Sequence, residues 1–202
     1  MSEANETLIT RDHSRTDSDI KTFDIAPLPK SLGVLWRYWG ELDRSHPGVL
    51  PKKTDMHMAG LHGALPHIVI SERTGDFELQ IRLSGTAVEN RFGLPITGKN
   101  LLDLTPPAQR DLINSVYSNI STHRCGFYIR EILGFNKGKS TAVQALILPL
   151  ADAGGKPHFF IGSYHFGESH FDDKHAPPPI VEHWHIERFG YIDLGYGLPA
   201  PS

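Results

Sequence analysis

The 202-residue chain predicts an α+β domain built on an antiparallel sheet, and three observations lead there. Residues 67–71 and 77–84 are short, apolar-rich segments on either side of a Thr74-Gly75-Asp76 turn, which reads as a β-hairpin. Helical spacing follows, punctuated by Gly85, Gly93 and Gly98. Three more strand-like segments then follow, joined by tight turns. Hairpin-linked strands on both sides of a helical insert imply about five antiparallel strands with helices on one face.

In chain order, residues 1–22 are polar, with little apolar content, and are expected to be a disordered tail. A domain over 23–166 follows. Its first element is an amphipathic helix over 31–44, where Leu32, Leu35, Trp36, Trp39 and Leu42 recur at the spacing of one helical face. Ser31 is the expected N-cap, and Pro47-Gly48 ends the pattern. Residues 51–63 form a connector with a short helical turn near Thr54-Asp55.

The second strand alternates, with Phe77, Leu79, Ile81 and Leu83 on one side and Glu78, Gln80, Arg82 and Ser84 on the other. Gly85-Thr86 ends it, with Thr86 placed to cap a short helix over 87–92. Pro106-Pro107 opens a longer helix reaching residue 123, in which Leu112, Val116 and Ile120, flanked by Ile113 and Tyr117, make a continuous apolar face. Strands are predicted over 126–133, 141–148 and 158–166, with turns at 136–139 and 152–155. Residues 167–202 form a Pro- and His-rich arm containing Pro177-Pro178-Pro179. Val181, Trp184, Ile186, Phe189, Tyr191 and Tyr196 are too apolar for a solvated tail, so an extended arm packed on this domain or a neighbour is expected.

A net charge of -3 gives no electrostatic footprint for nucleic acid or an anionic membrane. The longest apolar runs, such as 145–150, are too short to span a bilayer, and the N-terminus lacks the apolar core of a secretory signal. A single cysteine, Cys125, excludes an intrachain disulfide and fits a reducing cytoplasm.

Chemistry-bearing motifs are few. Gly134 to Ser140 approaches a phosphate loop, but has three residues between its glycines where four are needed, and lies between strands. His57, His62 and His67 are spaced by five, as are His165, His170 and His175, which turns successive imidazoles away from a common ion on helix or strand. His183 and His185 would share a strand face, but without a thiol or clustered carboxylates no metal site is expected. There is no Gly-x-Ser-x-Gly nucleophile elbow, and Asp172-Asp173 reads as a solvated pair, so no catalytic residue is assigned.

The stretch RLSGTAVENRFGLPITGKNLLDL, from Arg82 to Leu104, resembles the core of a bacterial family of PAS domains. LWRYW near residue 35, ALPHI near 64 and ALILPLADAGG near 145 match the family's order and spacing. The resemblance implies a PAS-like fold enclosing a small cavity, and a non-enzymatic sensory or regulatory role exercised through a signalling protein partner. Some PAS domains hold flavin or haem; here Cys125 lies between Arg124 and Gly126 rather than in an Asn-Cys-Arg helix, and His123 ends a helix, so no cofactor is expected. A dissociable small molecule would then be lined by Thr86, Asn90, Phe92, Tyr117, Tyr128, Gln144 and Ser163. Related domains often pair through a leading helix, which implies a homodimer using Leu32, Leu35, Trp36, Trp39 and Leu42. The alternative is a pure interaction module with a filled interior.

Overall fold

The structure, a computed structural model, describes residues 27–135, 139–167 and 181–200. The expectations for residues 1–22, the Pro177–Pro179 run and Asp172-Asp173 lie outside these residues. Six strands form one antiparallel sheet: β1 Ile68–Gly75, β2 Glu78–Ser84, β3 Gly126–Phe135, β4 Lys139–Leu150, β5 Phe159–Phe166 and β6 Val181–Ile192. Their spatial order is β2-β1-β5-β4-β3-β6. β5, late in sequence, is therefore central, pairing with β1 through Ile68↔Ser163 and with β4 through Leu146↔Ser163. β6 adds a sixth strand where five are expected, covering the edge of β3 from Gly126↔Ile192 to Phe135↔Val181.

The helices of the insert cover one face of the sheet, as expected, and the leading amphipathic helix covers the other. The back face is covered by α1, Lys30–Ser45, and by single 3-10 turns at Lys53–Asp55, Met58–Leu61 and Leu65–His67. Here Leu32, Leu35 and Trp39 pack with Ile68, Ile70, Leu146, Leu148 and Ile161. The Trp39 indole N–H donates to the Pro149 carbonyl at 2.9 Å, bonding helix to sheet. The front face is covered by α2 Thr86–Phe92, α3 Leu101–Leu104 and α4 Arg110–His123. Leu79, Leu102, Val116, Ile120, Phe127, Ile147 and Phe160 form its core. Two buried layers on one sheet remove far more apolar surface from water than one, and this burial drives the fold.

Local details depart from expectation for identifiable reasons. Pro29, extended at φ -52°, ψ 149°, takes the N-cap of α1, and Gly33 N–H donates to its carbonyl. Ser31 consequently lies inside the first turn, buried, without a side-chain partner. The β1–β2 turn falls at Asp76-Phe77, and Phe77 takes a left-handed φ of 56° with its ring exposed, not on the apolar side of β2. Gly85, rather than Thr86, caps α2, because its N–H bonds the Ile68 carbonyl where backbone crowds backbone. A Cβ at Gly85 would stand 2.3 Å from the Leu65 carbonyl oxygen and 2.4 Å from that of Pro66. Asn100 ties α3 to β2: its Oδ1 accepts from Leu79 and Leu102 N–H, and its Nδ2 donates to the Phe77 carbonyl.

Candidate functional site

The interior lies between the front face and α2–α4. Alternation on β1 sends Val69, Ser71 and Arg73 forward, and alternation on β5 does the same for Phe160 and Tyr164. Tyr117 descends from α4 into this space and meets Phe160 edge-on, with ring centroids 4.8 Å apart and planes at 89°. That arrangement matches the quadrupole preference of aromatic pairs. The Tyr117 hydroxyl has side-chain hydrogen bonds with Tyr164 and Ser71. Burial pushes the Tyr117 phenol well above its ordinary pKa, and the neighbouring Tyr164 phenol adds to the rise. Tyr164 is raised as well, again by burial first.

Beside the tyrosines, Arg73 Nη1 donates to Asn114 Oδ1 at 3.0 Å and its Nη2 to the Asn114 carbonyl at 3.1 Å. Burial lowers the Arg73 pKa, and Asp76 opposes that shift. Its Nε is buried without a side-chain or backbone acceptor. Two tyrosines and a phenylalanine thus pack in the interior beside a polar wall of Ser71, Arg73 and Asn114.

The seven side chains expected to line one cavity do not meet. Tyr117 is in the interior, and Phe92 sits at its edge against the cluster of Val69, Ile81, Val88 and Ile96. Thr86 and Asn90 are exposed on α2. Tyr128, Gln144 and Ser163 project to the back face, since each is in phase with Leu146, Leu148 or Ile161. There the Tyr128 hydroxyl donates to Gln144 Oε1 at 2.8 Å, and Ser163 is fully buried with no side-chain partner. Strand alternation separates two sets of residues but does not say which layer covers which set; with both faces apolar, the sequence reading put these three on the wrong side.

The stripe assigned to a dimer lies largely against this chain's own sheet, the competing placement for an amphipathic leading helix. Leu32 and Leu35 are 0% exposed and Trp39 is 3% exposed, all within this chain's own core, while Trp36 and Leu42 keep some exposure. The sequence reading missed Ser71, Arg73, Asn114, Phe160 and Tyr164. The available signal was the polar pair Ser71 and Arg73, in phase with the apolar Val69 on β1.

Two open grooves lie on the surface. One, of about 460 Å³, runs between Trp36, Gly40 and Asp43 of α1 and Asp193-Leu194 beyond β6. The other, of about 330 Å³, lies by the β1–β2 turn and is lined by Thr74, Glu78, Gln80, Asn100 and Asp103. Among the described residues no group of three His, Cys, Asp or Glu side chains could hold a metal ion. No described helix is long and apolar enough to cross a membrane. The Cys125 thiol is pushed up to about 12, chiefly by burial.

A family model described as PAS domain matches residues 28–165. No curated protein matches the chain. Among solved structures it is similar to a light-oxygen-voltage domain studied with a flavin analogue, at 17% identity and a TM-score of 0.42, over 55% of this chain and 83% of that one. It is similar to the PAS domain of Bordetella pertussis BvgS, at 20% identity and a TM-score of 0.40, over 53% and 81% of the two chains. A third similar structure is the Vibrio cholera VqmA–ligand–DNA complex, at 15% identity and a TM-score of 0.42, over 54% and 49%.

Proposed function

Because this chain belongs to the PAS-domain family, with residues 28–165 matched, we propose that it is a non-enzymatic regulatory module that acts through contacts with a partner protein. PAS domains are in general sensory and regulatory units. The observation that carries the reading is the packed interior: Tyr117, Phe160 and Tyr164 occupy the space between sheet and helices. Aromatic packing in that space favours recognition by the polypeptide surface. Homodimerisation through the Leu32–Leu35–Trp39 stripe is not part of the proposal, since those side chains are already buried within one copy.

A second reading is favoured by one observation. Ser71, Arg73, Asn114, Tyr117 and Tyr164 put hydrogen-bonding groups together inside an apolar interior, the composition of a small-ligand site. Rotation of Tyr117 would open that wall to a polar ligand. Native mass spectrometry of the purified chain against denaturing extraction separates the two. The interaction reading expects one species at the polypeptide mass. A stoichiometric small molecule, lost in Tyr117→Phe and Ser71→Ala variants, overturns it in favour of ligand sensing.

A further inference from the structure

One side chain is placed against its own preferences. Phe77 closes the β1–β2 turn with a left-handed φ of 56°, a conformation that glycine or asparagine adopts at less cost. Its ring is 47% exposed, so folding returns little through burial. The backbone beneath it is held firmly. Asn100 Nδ2 donates to the Phe77 carbonyl at 3.0 Å, and Asn100 Oδ1 accepts from Leu79 N–H at 3.0 Å. Ile81 N–H donates to the Lys99 carbonyl at 2.9 Å, and Gly98 N–H donates to the Ile81 carbonyl at 2.7 Å. Residues 98–100 thus occupy the outer edge of β2 from Leu79 to Ile81, which leaves no room there for an added strand. The open groove of about 330 Å³ belongs to the same unit, lying between Thr74, Glu78 and Gln80 of the hairpin and Gly98, Asn100 and Asp103. Glu78 and Asp103 bring carboxylates to it, and none of its lining side chains is basic. Glu78 Oε2 accepts from the Thr74 hydroxyl at 3.1 Å, and neither carboxylate is ion-paired among the described residues. Asp76, exposed in the turn, adds a third carboxylate that it shares electrostatically with Arg73.

We propose that the Phe77 tip and this groove form a docking surface for a basic, arginine-bearing segment of a partner protein. The inference rests on the interaction reading above and names its surface. Charge complementarity selects the occupant. A guanidinium entering the groove meets Glu78 and Asp103 and no lining cation to repel it. Its aliphatic stem, or an apolar neighbour on the same segment, covers the Phe77 ring. A second copy docked on the same surface across a two-fold axis would set carboxylate against carboxylate. Strand addition is ruled out between Leu79 and Ile81 because residues 98–100 already take that edge, so side chains carry the recognition. The Asn100 bonds hold tip and groove in one arrangement, and little ordering is required when the segment binds.

The test selects a phage-displayed random peptide library on the full chain, then titrates the synthesised, labelled peptides against it by fluorescence anisotropy. The expected sequences pair an arginine with a nearby apolar residue, and their binding weakens as salt is added. Affinity should fall at least about tenfold in Phe77→Gly and in a Glu78→Gln, Asp103→Asn variant, and persist in Asp103→Glu. Phe77→Gly separates recognition from a structural role. Glycine suits the turn, so the urea midpoint should hold or rise while peptide binding is lost. A midpoint that falls along with binding makes Phe77 a structural residue and overturns the proposal. Selected peptides that lack arginine, or that bind Phe77→Gly as tightly as the wild type, overturn it and leave the interaction reading intact. So does a light-scattering mass of two chains that returns to one in Phe77→Gly, which assigns the surface to a second copy. A library that yields no peptide also overturns the proposal; if native mass spectrometry then shows a stoichiometric small molecule, the interaction reading falls with it.

Discussion

The contact of Trp39 with the sheet admits a quantitative test. Trp39→Ala removes a ring that is 3% exposed and an indole N–H bonded at 2.9 Å to the Pro149 carbonyl. Truncating a buried Trp costs about 3–5 kcal/mol, and leaving a buried carbonyl unpaired adds about 1 kcal/mol or more. The expected loss is about 4–6 kcal/mol, a large part of the roughly 5–15 kcal/mol that holds a domain folded. Urea titrations followed by far-ultraviolet circular dichroism should show the midpoint falling by about 2–3 M, taking roughly 2 kcal/mol per M for the slope. Trp39→Phe keeps an aromatic ring but loses the donor, and should cost about 1–3 kcal/mol. Trp36→Ala, on the partly exposed side of α1, should cost distinctly less than Trp39→Ala. The reasoning fails if Trp39→Ala moves the midpoint by less than about 0.5 M and instead changes the mass in light scattering. That outcome would return Trp39 to an interface between copies.

Three further expectations concern the interior and its supports. Gly85→Ala should cost at least about 2 kcal/mol, because the new Cβ would lie 2.3 Å from a backbone oxygen that cannot swing away; a wild-type midpoint would show that the backbone yields there. Tyr117→Phe should cost about 1 kcal/mol near neutral pH through its lost hydroxyl contacts. Above the ordinary tyrosine pKa of 10.0 the unfolded chain releases protons that buried Tyr117 and Tyr164 retain, so stability falls as pH rises past that value. The slope approaches about 1.4 kcal/mol per pH unit for each such group, and stability measured from pH 8 to 11 should decline less steeply in the Phe variant. Cys125, buried and with its pKa near 12, should resist thiol reagents at pH 8 until the protein unfolds; rapid labelling under native conditions would contradict its burial.

Much of the fold is legible in the sequence because local signals report local structure. The apolar recurrence of α1 and α4, the alternation of β2 through Leu79 and Ile81 and the turn glycines all depend on neighbours a few residues away. The alternation expected to reach Leu83 breaks at a register shift beside Arg82, which turns Leu83 to the back face with Ile70. What depends on distant partners is not legible. The period of β6 is obscured by a register shift opposite Arg130 and Glu131, where Arg188 pairs with Arg130 and Ile186 with Glu131, leaving Glu187 as the extra residue. Neither helical nor two-residue spacing describes such a strand. The candidate site suffers from the same cause. Tyr128, Gln144 and Ser163 have the size and polarity of ligand contacts, but only the placement of α1 shows that they face away from Tyr117. Ser71 and Arg73 are polar at forward-facing positions, and that contrast with Val69 is the legible trace of the interior.

The central place of β5 bears on the order in which the molecule assembles. The β1–β2 hairpin has its turn and register early in the chain, yet the strand that joins it to the rest of the sheet begins only at Phe159. Until then the inner edge of β1 offers unpaired backbone groups, and an isolated hairpin is marginally stable in water. Trp39 waits as long for its acceptor, 110 residues further on. Loop closure on this scale precedes most of the stabilising contacts, which slows folding relative to a helical domain of equal size. A nascent chain paused before residue 159 would therefore present β1 as an open edge to any neighbouring strand, and the period from hairpin formation to β5 docking is when this protein is most prone to pair wrongly.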